Sequence, residues 1–298
     1  EICNGSLHGG EVYFKDFKTS QYISSLLLVA PYLINGLKVN YKSDMYSVSY
    51  VNMTIEMLKQ CGAEVRFDND SISVSQGGYK NYYMSIESDW SSASYIYLLF
   101  LFSNLETITI CNFFKKSLQG DQSVLNFFSL VGIHSQFASD QELTISRPAT
   151  ANIVLKKKLN YSLPKSISWN FANNPDLTPT IIIACFGLGI SLHGSGVTNL
   201  QYKESNRMQV MITELKKMNC IIEMKSEDTF YLDMSDDVNA HSNKLISINT
   251  YQDHRIALAF SPLCLLGFNL EIIDSGVVSK SYPSFFDDLK KFGVIIAN

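Results

Sequence analysis

The five residues Lys203-Glu204-Ser205-Asn206-Arg207 place two cations and a carboxylate directly before an apolar helix. The apolar face of that helix runs from Met208 to Leu215, and Lys216 and Lys217 follow where the macrodipole favours cations. If the helix begins at Lys203, the lysine and Arg207 point the same way, beside amide groups that attract anions. This pattern predicts a phosphate or carboxylate site that contains a general acid or base. The alternative is an ordinary solvated helix start with a charged pair.

Three other segments have the same design, in which polar residues precede an apolar run. N-capping explains each segment alone, because Ser, Thr, Asp and Asn accept hydrogen bonds from free amides at a helix start. Four such starts together predict a repeated unit whose helix ends converge. The three further starts are Thr19-Ser20-Gln21 before the run Tyr22 to Leu33, Ser91 to Ser94 before Tyr95 to Phe102, and Asn249 to Arg255 before the helix Ile256 to Leu266.

The chain repeats one unit: polar cap, apolar helix, strand, polar loop, amphipathic helix, glycine or asparagine, strand. The residues that accept the left-handed conformation after the second helix are Gly62, Gly132, Asn219 and Gly293. The strands before those helices are predicted at Leu37 to Tyr41, Thr107 to Cys111, Ile190 to His193 and Leu270 to Ile273. We count four copies, roughly 18–75, 88–146, 165–234 and 245–298.

The composition is that of a soluble globular protein. A chain of 298 residues with 46% hydrophobic and 17% charged residues can bury two sizeable cores. The longest apolar run, around Ile181 to Leu192, is interrupted by glycine and serine and is too short for a membrane span. The six cysteines have neither metal nor disulfide spacing, which indicates reduced thiols in a cytoplasmic compartment.

The charge pattern indicates a small-molecule ligand. The net charge is −4, and Lys and Arg cluster only at Lys156 to Lys158, so the footprint of a nucleic-acid-binding protein is absent from the sequence. An anionic ligand must then be held by local geometry. We expect no cofactor, no metal, no membrane partner and a monomer. The start at Glu1, without methionine or a signal pattern, suggests a fragment.

Eight motifs, in their order and approximate spacing, resemble the 5-enolpyruvylshikimate-3-phosphate (EPSP) synthase family. The resemblance covers essentially the whole chain. The sister family of UDP-N-acetylglucosamine enolpyruvyl transferases shares the repeat but lacks the combined set. The motifs are Thr19 to Tyr22, Ser47 to Tyr50, Glu87 to Tyr95, Gln119 to Asp121, Pro175-Asp176, Asn199 with Lys203 to Arg207, Gln252 to Arg255, and Lys280 to Pro283.

The resemblance implies an α/β fold of two domains, each of three βαβαββ units, with the active site in the interdomain cleft. On this basis we expect 1–86 to be the last repeat of the N-terminal lobe and 87–298 to be a second lobe of three repeats. Two repeats would then be missing, about a hundred residues or more. They would carry further lysine and arginine residues of the family, so we expect the chain as given to be inactive alone.

The implied reaction transfers the enolpyruvyl group of phosphoenolpyruvate to the 5-hydroxyl of shikimate 3-phosphate, in the shikimate pathway of chorismate and aromatic amino-acid biosynthesis. Two anionic substrates require several cations, and a carboxyl group must deliver and retrieve a proton. The resemblance assigns Asp176 as base, Glu204 as proton donor and Lys280 as a further catalytic residue. It assigns shikimate 3-phosphate to Thr19, Ser20, Gln21, Ser47, Tyr50, Asp176, Asn199 and Lys203, and phosphoenolpyruvate to Gln21, Arg207, Arg255 and Lys280.

Other interpretations stay open at this point. Asp176 after Pro175 is equally well a helix cap, and we expect His254 to hold its loop by hydrogen bonds. The sequence departs from the family pattern at Thr19, where serine is usual, and at Gln201, Asn206 and Gln252, where arginine, aspartate and asparagine are common. The whole chain is alternatively a non-catalytic substrate-binding fragment or a UDP-N-acetylglucosamine enolpyruvyl transferase.

Overall fold

The computed structural model describes residues 7–15, 19–41, 46–68, 70–138, 151–234 and 244–296. The chain divides into unit 1, residues 1–85 with 118–120, and unit 2, residues 86–117 with 121–298. Each unit has its own buried apolar core. Within the described ranges, no helix combines the length and the apolar character that a membrane span requires. The end of the second predicted copy, which reaches 146, lies outside the described residues.

The described residues of unit 1 form a four-stranded sheet and two α-helices that share a core. The sheet order is β1-β2-β4-β3, with β1 and β2 parallel and the other pairs antiparallel. Ile23 and Leu27 on α1, and Val51 and Ile55 on α2, recur at helical spacing and are buried. The elements are β1 (His8–Phe14), α1 (Gln21–Val29), β2 (Ile34–Tyr41), α2 (Val48–Gln60), β3 (Val65–Phe67) and β4 (Ser71–Val74).

Unit 2 repeats this arrangement. Its four-stranded sheet, β8-β9-β11-β10, has the strand order and directions of unit 1, while β5-β7-β6 and the parallel pair β12-β13 reproduce parts of it. Within the described residues, the βαβαββ unit that the resemblance implies is complete in two copies, β1 to β4 and β8 to β11, and present in part in the other two. The elements are α3 (Trp90–Phe102), β5 (Thr107–Phe113), α4 (Val124–Leu130), β6 (Ile133–Phe137), β7 (Ala151–Lys157), β8 (Ser166–Asn170), α5 (Thr178–Leu188), β9 (Ser191–Ser195), α6 (Arg207–Lys216), β10 (Ile222–Met224), β11 (Thr229–Leu232), β12 (Ile246–Asn249), α7 (His254–Phe260), β13 (Leu270–Ile273) and α8 (Phe285–Lys291).

The predicted ends of the second helices are confirmed. Gly62, Gly132, Asn219 and Gly293 all have positive φ, between 60° and 89°, as a left-handed C′ residue requires. Glycine and asparagine adopt this conformation at the lowest steric cost.

The predicted bounds of the first helices are partly wrong. α7 ends at Phe260 and continues as a 3₁₀ segment to Leu266, because Pro262 has no N–H to donate to the α-helical ladder. Pro31 likewise follows the end of α1 at Val29. α3 begins before the serine cluster, since the Asp89 side chain caps it by accepting from the Ser91 amide at 3.1 Å.

Three helices of unit 2 are apolar on all sides, which is typical of helices with no solvated face. They are α3, α5 and α7, the first helices of the three copies, and they contact one another. In α3 the consecutive residues Tyr97 to Phe100 are all fully buried, and in α5 so are Ile181 to Cys185. The polar starts of these helices are therefore brought together in the interior of unit 2.

Candidate active site

The predicted site residues of unit 2 follow the carboxyl ends of two pairs of parallel strands. Asp176 lies in the turn after β8, and Lys203 to Arg207 follow its parallel partner β9. Arg255 follows β12 and Lys280 follows β13, which are also parallel. The carboxyl ends of parallel strands meet at one edge of a sheet, where α/β proteins commonly bind ligands. Two copies of the unit thus supply one group of charged side chains.

Arg207 is the centre of this group and is fully buried, at 0% exposure. Its guanidinium donates to three carboxylates: Nε to Asp253 Oδ2 at 2.9 Å, one terminal nitrogen to Asp176 Oδ1 at 3.0 Å, and the other to Glu204 Oε2 at 2.8 Å. Burial by itself lowers the pKa of Arg207, but Asp176 and Asp253 outweigh it and raise that pKa. The alternative of a solvated helix start with an exposed pair is therefore wrong for this residue.

Asp176 accepts contacts from three cations. Arg255 lies 2.9 Å from Oδ2, while Arg207 and Lys203 lie 3.0 and 3.3 Å from Oδ1. Burial raises the pKa of Asp176, but Arg255, then Lys203 and Arg207, outweigh burial and hold the pKa well below its usual range. Asp176 is consequently a carboxylate at neutral pH.

Glu204 bridges two cations. One carboxylate oxygen lies 2.8 Å from Arg207, and the other lies 2.8 Å from Lys280 Nζ. Burial raises the pKa of Glu204, but the hydrogen bond from Lys280, a backbone amide and the Arg207 charge together lower it to about 2. Glu204 is therefore ionised in this structure and lies between two of the cations predicted to bind an anion.

The helix after this motif does not begin at Lys203, which was the condition for Lys203 and Arg207 to share one helix face. α6 begins at Arg207, because the Asn206 side chain caps it by accepting from the Gln209 amide at 3.3 Å. Lys203 ends the preceding 3₁₀ turn, Thr198–Tyr202. Lys203 and Arg207 still converge, but their common partner is Asp176 and not a shared helix face.

Asn199 and His254 lie close in sequence to the charged side chains of unit 2, before Lys203 and before Arg255. Asn199 is buried in the 3₁₀ turn before Lys203. His254 is buried at the first position of α7, and burial, then the Arg255 charge, lower its pKa, so the imidazole is neutral. The prediction that His254 holds its loop by hydrogen bonds is wrong for Nδ1, which is buried without a hydrogen-bond partner within the described structure.

The predicted site residues of unit 1 also follow a pair of parallel strands. Thr19, Ser20 and Gln21 lie at the start of α1, after β1, while Ser47 and Tyr50 lie at the start of α2, after β2. Ser20 and Ser47 are buried, and Ser47 has a left-handed backbone with φ of 60°. The two helices are joined by the Thr54 and Ser24 hydroxyls, 3.0 Å apart. Unit 1 therefore groups hydroxyls and an amide at one edge of its sheet.

A comparison of the sequence with known protein families identifies the family of this chain. The family model of EPSP synthase (3-phosphoshikimate 1-carboxyvinyltransferase) matches residues 1–289 of this chain. The chain belongs to the EPSP synthase family. The resemblance found in the motifs is thereby confirmed over almost the whole sequence.

Relatives and solved structures agree with membership of the EPSP synthase family. The 3-phosphoshikimate 1-carboxyvinyltransferase of Bacteroides fragilis is 32% identical, over 96% of this chain and 66% of its own length. The 3-phosphoshikimate 1-carboxyvinyltransferase of Methanocaldococcus jannaschii is 29% identical, over 99% of this chain and 64% of its own length. An EPSP synthase structure from Acinetobacter baumannii matches with a TM-score of 0.69 at 20% identity, over 96% of this chain and 63% of that one. The structure of an enolpyruvyl transferase from Streptomyces tendae matches with a TM-score of 0.58 at 12% identity, over 88% of this chain and 56% of that chain. The chain thus spans between 56% and 66% of the length of these relatives.

Sequence reasoning missed three buried residues of this EPSP synthase family chain. Asp253, at 0% exposure, bonds Arg207, the Ser205 hydroxyl at 3.0 Å and the Arg255 amide at 3.0 Å. Asp253 belongs to the motif Gln252 to Arg255, where its position indicates only a helix cap. Tyr95 contacts Arg255, and Asp121 binds the Ser91 hydroxyl. Burial, together with the charge of Asp176, raises the pKa of Asp121 to about 6.

Proposed function

We propose that this protein transfers the enolpyruvyl group of phosphoenolpyruvate to the 5-hydroxyl of shikimate 3-phosphate and releases phosphate. The observation that carries the proposal is the convergence of Lys203, Arg207, Arg255 and Lys280 on two carboxylates of unit 2. Two phosphorylated substrates repel each other and need such a concentration of fixed positive charge. The relatives named 3-phosphoshikimate 1-carboxyvinyltransferase support this choice of reaction.

In the proposed reaction the 5-hydroxyl oxygen bonds to C2 of phosphoenolpyruvate while a proton adds to the methylene carbon. The tetrahedral intermediate then loses a proton from that carbon and expels phosphate. Asp176 accepts the hydroxyl proton. Its contacts with Arg255 and Lys203 make it a weak base in the absence of ligand, so anionic substrates that draw these cations away would raise its basicity.

Glu204 delivers the proton to the methylene carbon in this proposal. The ionised group must first gain a proton, and its low pKa depends on the contacts with Lys280 and Arg207. An anion bound to those cations replaces these contacts and adds a negative charge nearby, and both changes raise the pKa of Glu204. Substrate binding therefore prepares the general acid at the time when it is needed.

Phosphoenolpyruvate is bound by Arg255, Lys280 and Arg207 of unit 2, and the assignment of Gln21 to the same substrate rests on the family resemblance alone. Arg255 and Lys280 retain exposed surface, whereas Arg207 is engaged by three carboxylates. Arg207 would exchange Glu204 for the carboxylate of the substrate, because the planar guanidinium suits either partner in the same geometry. The remaining assignments, to shikimate 3-phosphate, are Thr19, Ser20, Gln21, Ser47, Tyr50, Asp176, Asn199 and Lys203.

The protein acts in the cytoplasm as a monomer on small molecules in this proposal. The free thiols of Cys61, Cys111, Cys185, Cys220 and Cys264 support a reducing compartment.

Phosphate release by the full-length protein tests the proposal. We expect release only when phosphoenolpyruvate and shikimate 3-phosphate are both present, with an equal amount of 5-enolpyruvylshikimate 3-phosphate. UDP-N-acetylglucosamine as the accepted substrate would identify the sister activity, and binding of both substrates without turnover would identify a binding protein. Lys280→Met should abolish most turnover. Lys291→Met is the matched control, because Lys291 is an exposed lysine of the neighbouring α8 that pairs with Asp288.

A further inference from the structure

The hydroxyl of Tyr95 contacts the guanidinium of Arg255 from the interior of unit 2. The distance from Tyr95 Oη to one terminal nitrogen of Arg255 is 3.3 Å, and the other terminal nitrogen donates to Asp176 Oδ2 at 2.9 Å. Tyr95 is 1% exposed. Each end of the guanidinium therefore has an anchor, and two anchors fix the orientation of its plane.

The position of the Tyr95 side chain is itself fixed from two sides. Its ring packs edge to face on Phe285 of α8, with centroids 6.5 Å apart. Ser91 lies four residues earlier on the same face of α3, and its hydroxyl donates to the buried carboxyl of Asp121. Asp89 caps the first turn of this helix. These contacts hold α3, and with it the phenol, against the site.

We propose that Tyr95 is a positioning residue that orients Arg255 for binding of phosphoenolpyruvate. This inference rests on the proposed function. A guanidinium binds a carboxylate or phosphate through two parallel N–H donors only when its plane is correctly set. Without the hydroxyl, one terminal nitrogen of Arg255 loses its buried acceptor, so the guanidinium is less well ordered and a larger part of the binding energy of phosphoenolpyruvate is used to order it.

The test compares Tyr95→Phe with Tyr97→Phe in the full-length protein. Tyr97 is a matched control, because it is fully buried in the same helix and its hydroxyl bonds the Ser135 hydroxyl at 2.8 Å, away from the cation cluster. Both variants lose one buried hydroxyl and keep the ring. We expect Tyr95→Phe to raise the KM for phosphoenolpyruvate about tenfold, the scale of one hydrogen bond to a charged group, with the KM for shikimate 3-phosphate unchanged.

Two further measurements separate positioning from a structural role. In an Arg255→Ala background, Tyr95→Phe should raise the KM for phosphoenolpyruvate no further, because the residue on which it acts is gone. Binding of inorganic phosphate, measured by titration calorimetry, should weaken in Tyr95→Phe and not in Tyr97→Phe.

Equal KM values for phosphoenolpyruvate in the two tyrosine variants would overturn the inference, as would a tenfold loss that persists without Arg255. If the wild-type protein shows no enolpyruvyl transfer, the proposed function fails. The phosphate titration then decides the inference about Tyr95 alone, and equal phosphate affinities would reject it.

Discussion

Replacement of Arg207 by methionine should destabilise unit 2 far more than loss of any exposed cation. The guanidinium is fully buried and donates to Asp176, Glu204 and Asp253. Methionine keeps much of the side-chain volume and is a good helix former, so the change mainly removes the charge and its donors. The expected loss of stability depends on which cations and hydrogen-bond donors each of the three carboxylates still contacts in the variant.

Two of the three carboxylates keep another cation in the variant. Asp176 retains Arg255 and Lys203, and Glu204 retains Lys280. Asp253, at 0% exposure, retains the Ser205 hydroxyl and the Arg255 amide. A buried charge that loses its charged partner costs about 3–5 kcal/mol. Arg207→Met should therefore lower the free energy of unfolding of unit 2 by about that amount.

Tryptophan fluorescence during urea unfolding measures this unit selectively, because both tryptophans of the chain, Trp90 and Trp169, belong to unit 2. Adding Asp253→Asn to Arg207→Met removes the uncompensated charge and should restore part of the loss. Lys225→Met is the control within the same unit. Its partner Glu223 is exposed, so the loss should stay below about 1 kcal/mol.

Two results would refute this reasoning. The first is an unfolding midpoint for Arg207→Met equal to that of Lys225→Met. The second is a double variant no more stable than Arg207→Met itself, because the cost would then not come from Asp253.

Four further predictions concern the site and the chain as a whole. Arg255→Ala in the full-length protein should raise the KM for phosphoenolpyruvate at least about tenfold, because it removes a charge-assisted donor worth about 1.5–3 kcal/mol. The KM for shikimate 3-phosphate should change little, and equal effects on the two KM values would reject the assignment. Glu204→Gln should lower turnover at least about a hundredfold, and near-normal turnover would leave Glu204 a structural carboxylate. The pKa of Glu204 is lowered from 4.5 to about 2, so the stabilising contribution of the ionised group is present above pH 4.5 and is lost as the pH falls towards 2. The free energy of unfolding of Glu204→Gln should therefore depend less on pH in that window than that of the wild type. Parallel pH profiles of the two proteins would contradict this. The 298-residue chain spans about two thirds of the length of its relatives. Assayed alone it should release no measurable phosphate, because the substrate charges would stay partly uncompensated and screened by solvent.

The repeated unit and its helix ends could be predicted from the sequence because they depend on local chemistry. Gly62, Gly132, Asn219 and Gly293 accept a left-handed backbone whatever surrounds them, and all four adopt it. The charged motifs at Lys203 to Arg207 and at Arg255 were visible for the same reason, since residue type and spacing are properties of the chain. Helix bounds were less predictable, because Asp89 and Asn206 take the capping role from neighbours that looked equally suited to it.

The tertiary structure alone decided which charges meet. Asp176 and Arg255 are 79 residues apart, and Arg207 and Asp253 are 46 apart, yet each pair is separated by 2.9 Å. No local pattern specifies such contacts, because they arise from the packing of α3, α5 and α7 and from the parallel strands that end beside them. Burial is likewise a property of the fold: the sequence showed Arg207 as a cation at a helix start, and only the folded unit surrounds it with three carboxylates and excludes water from it.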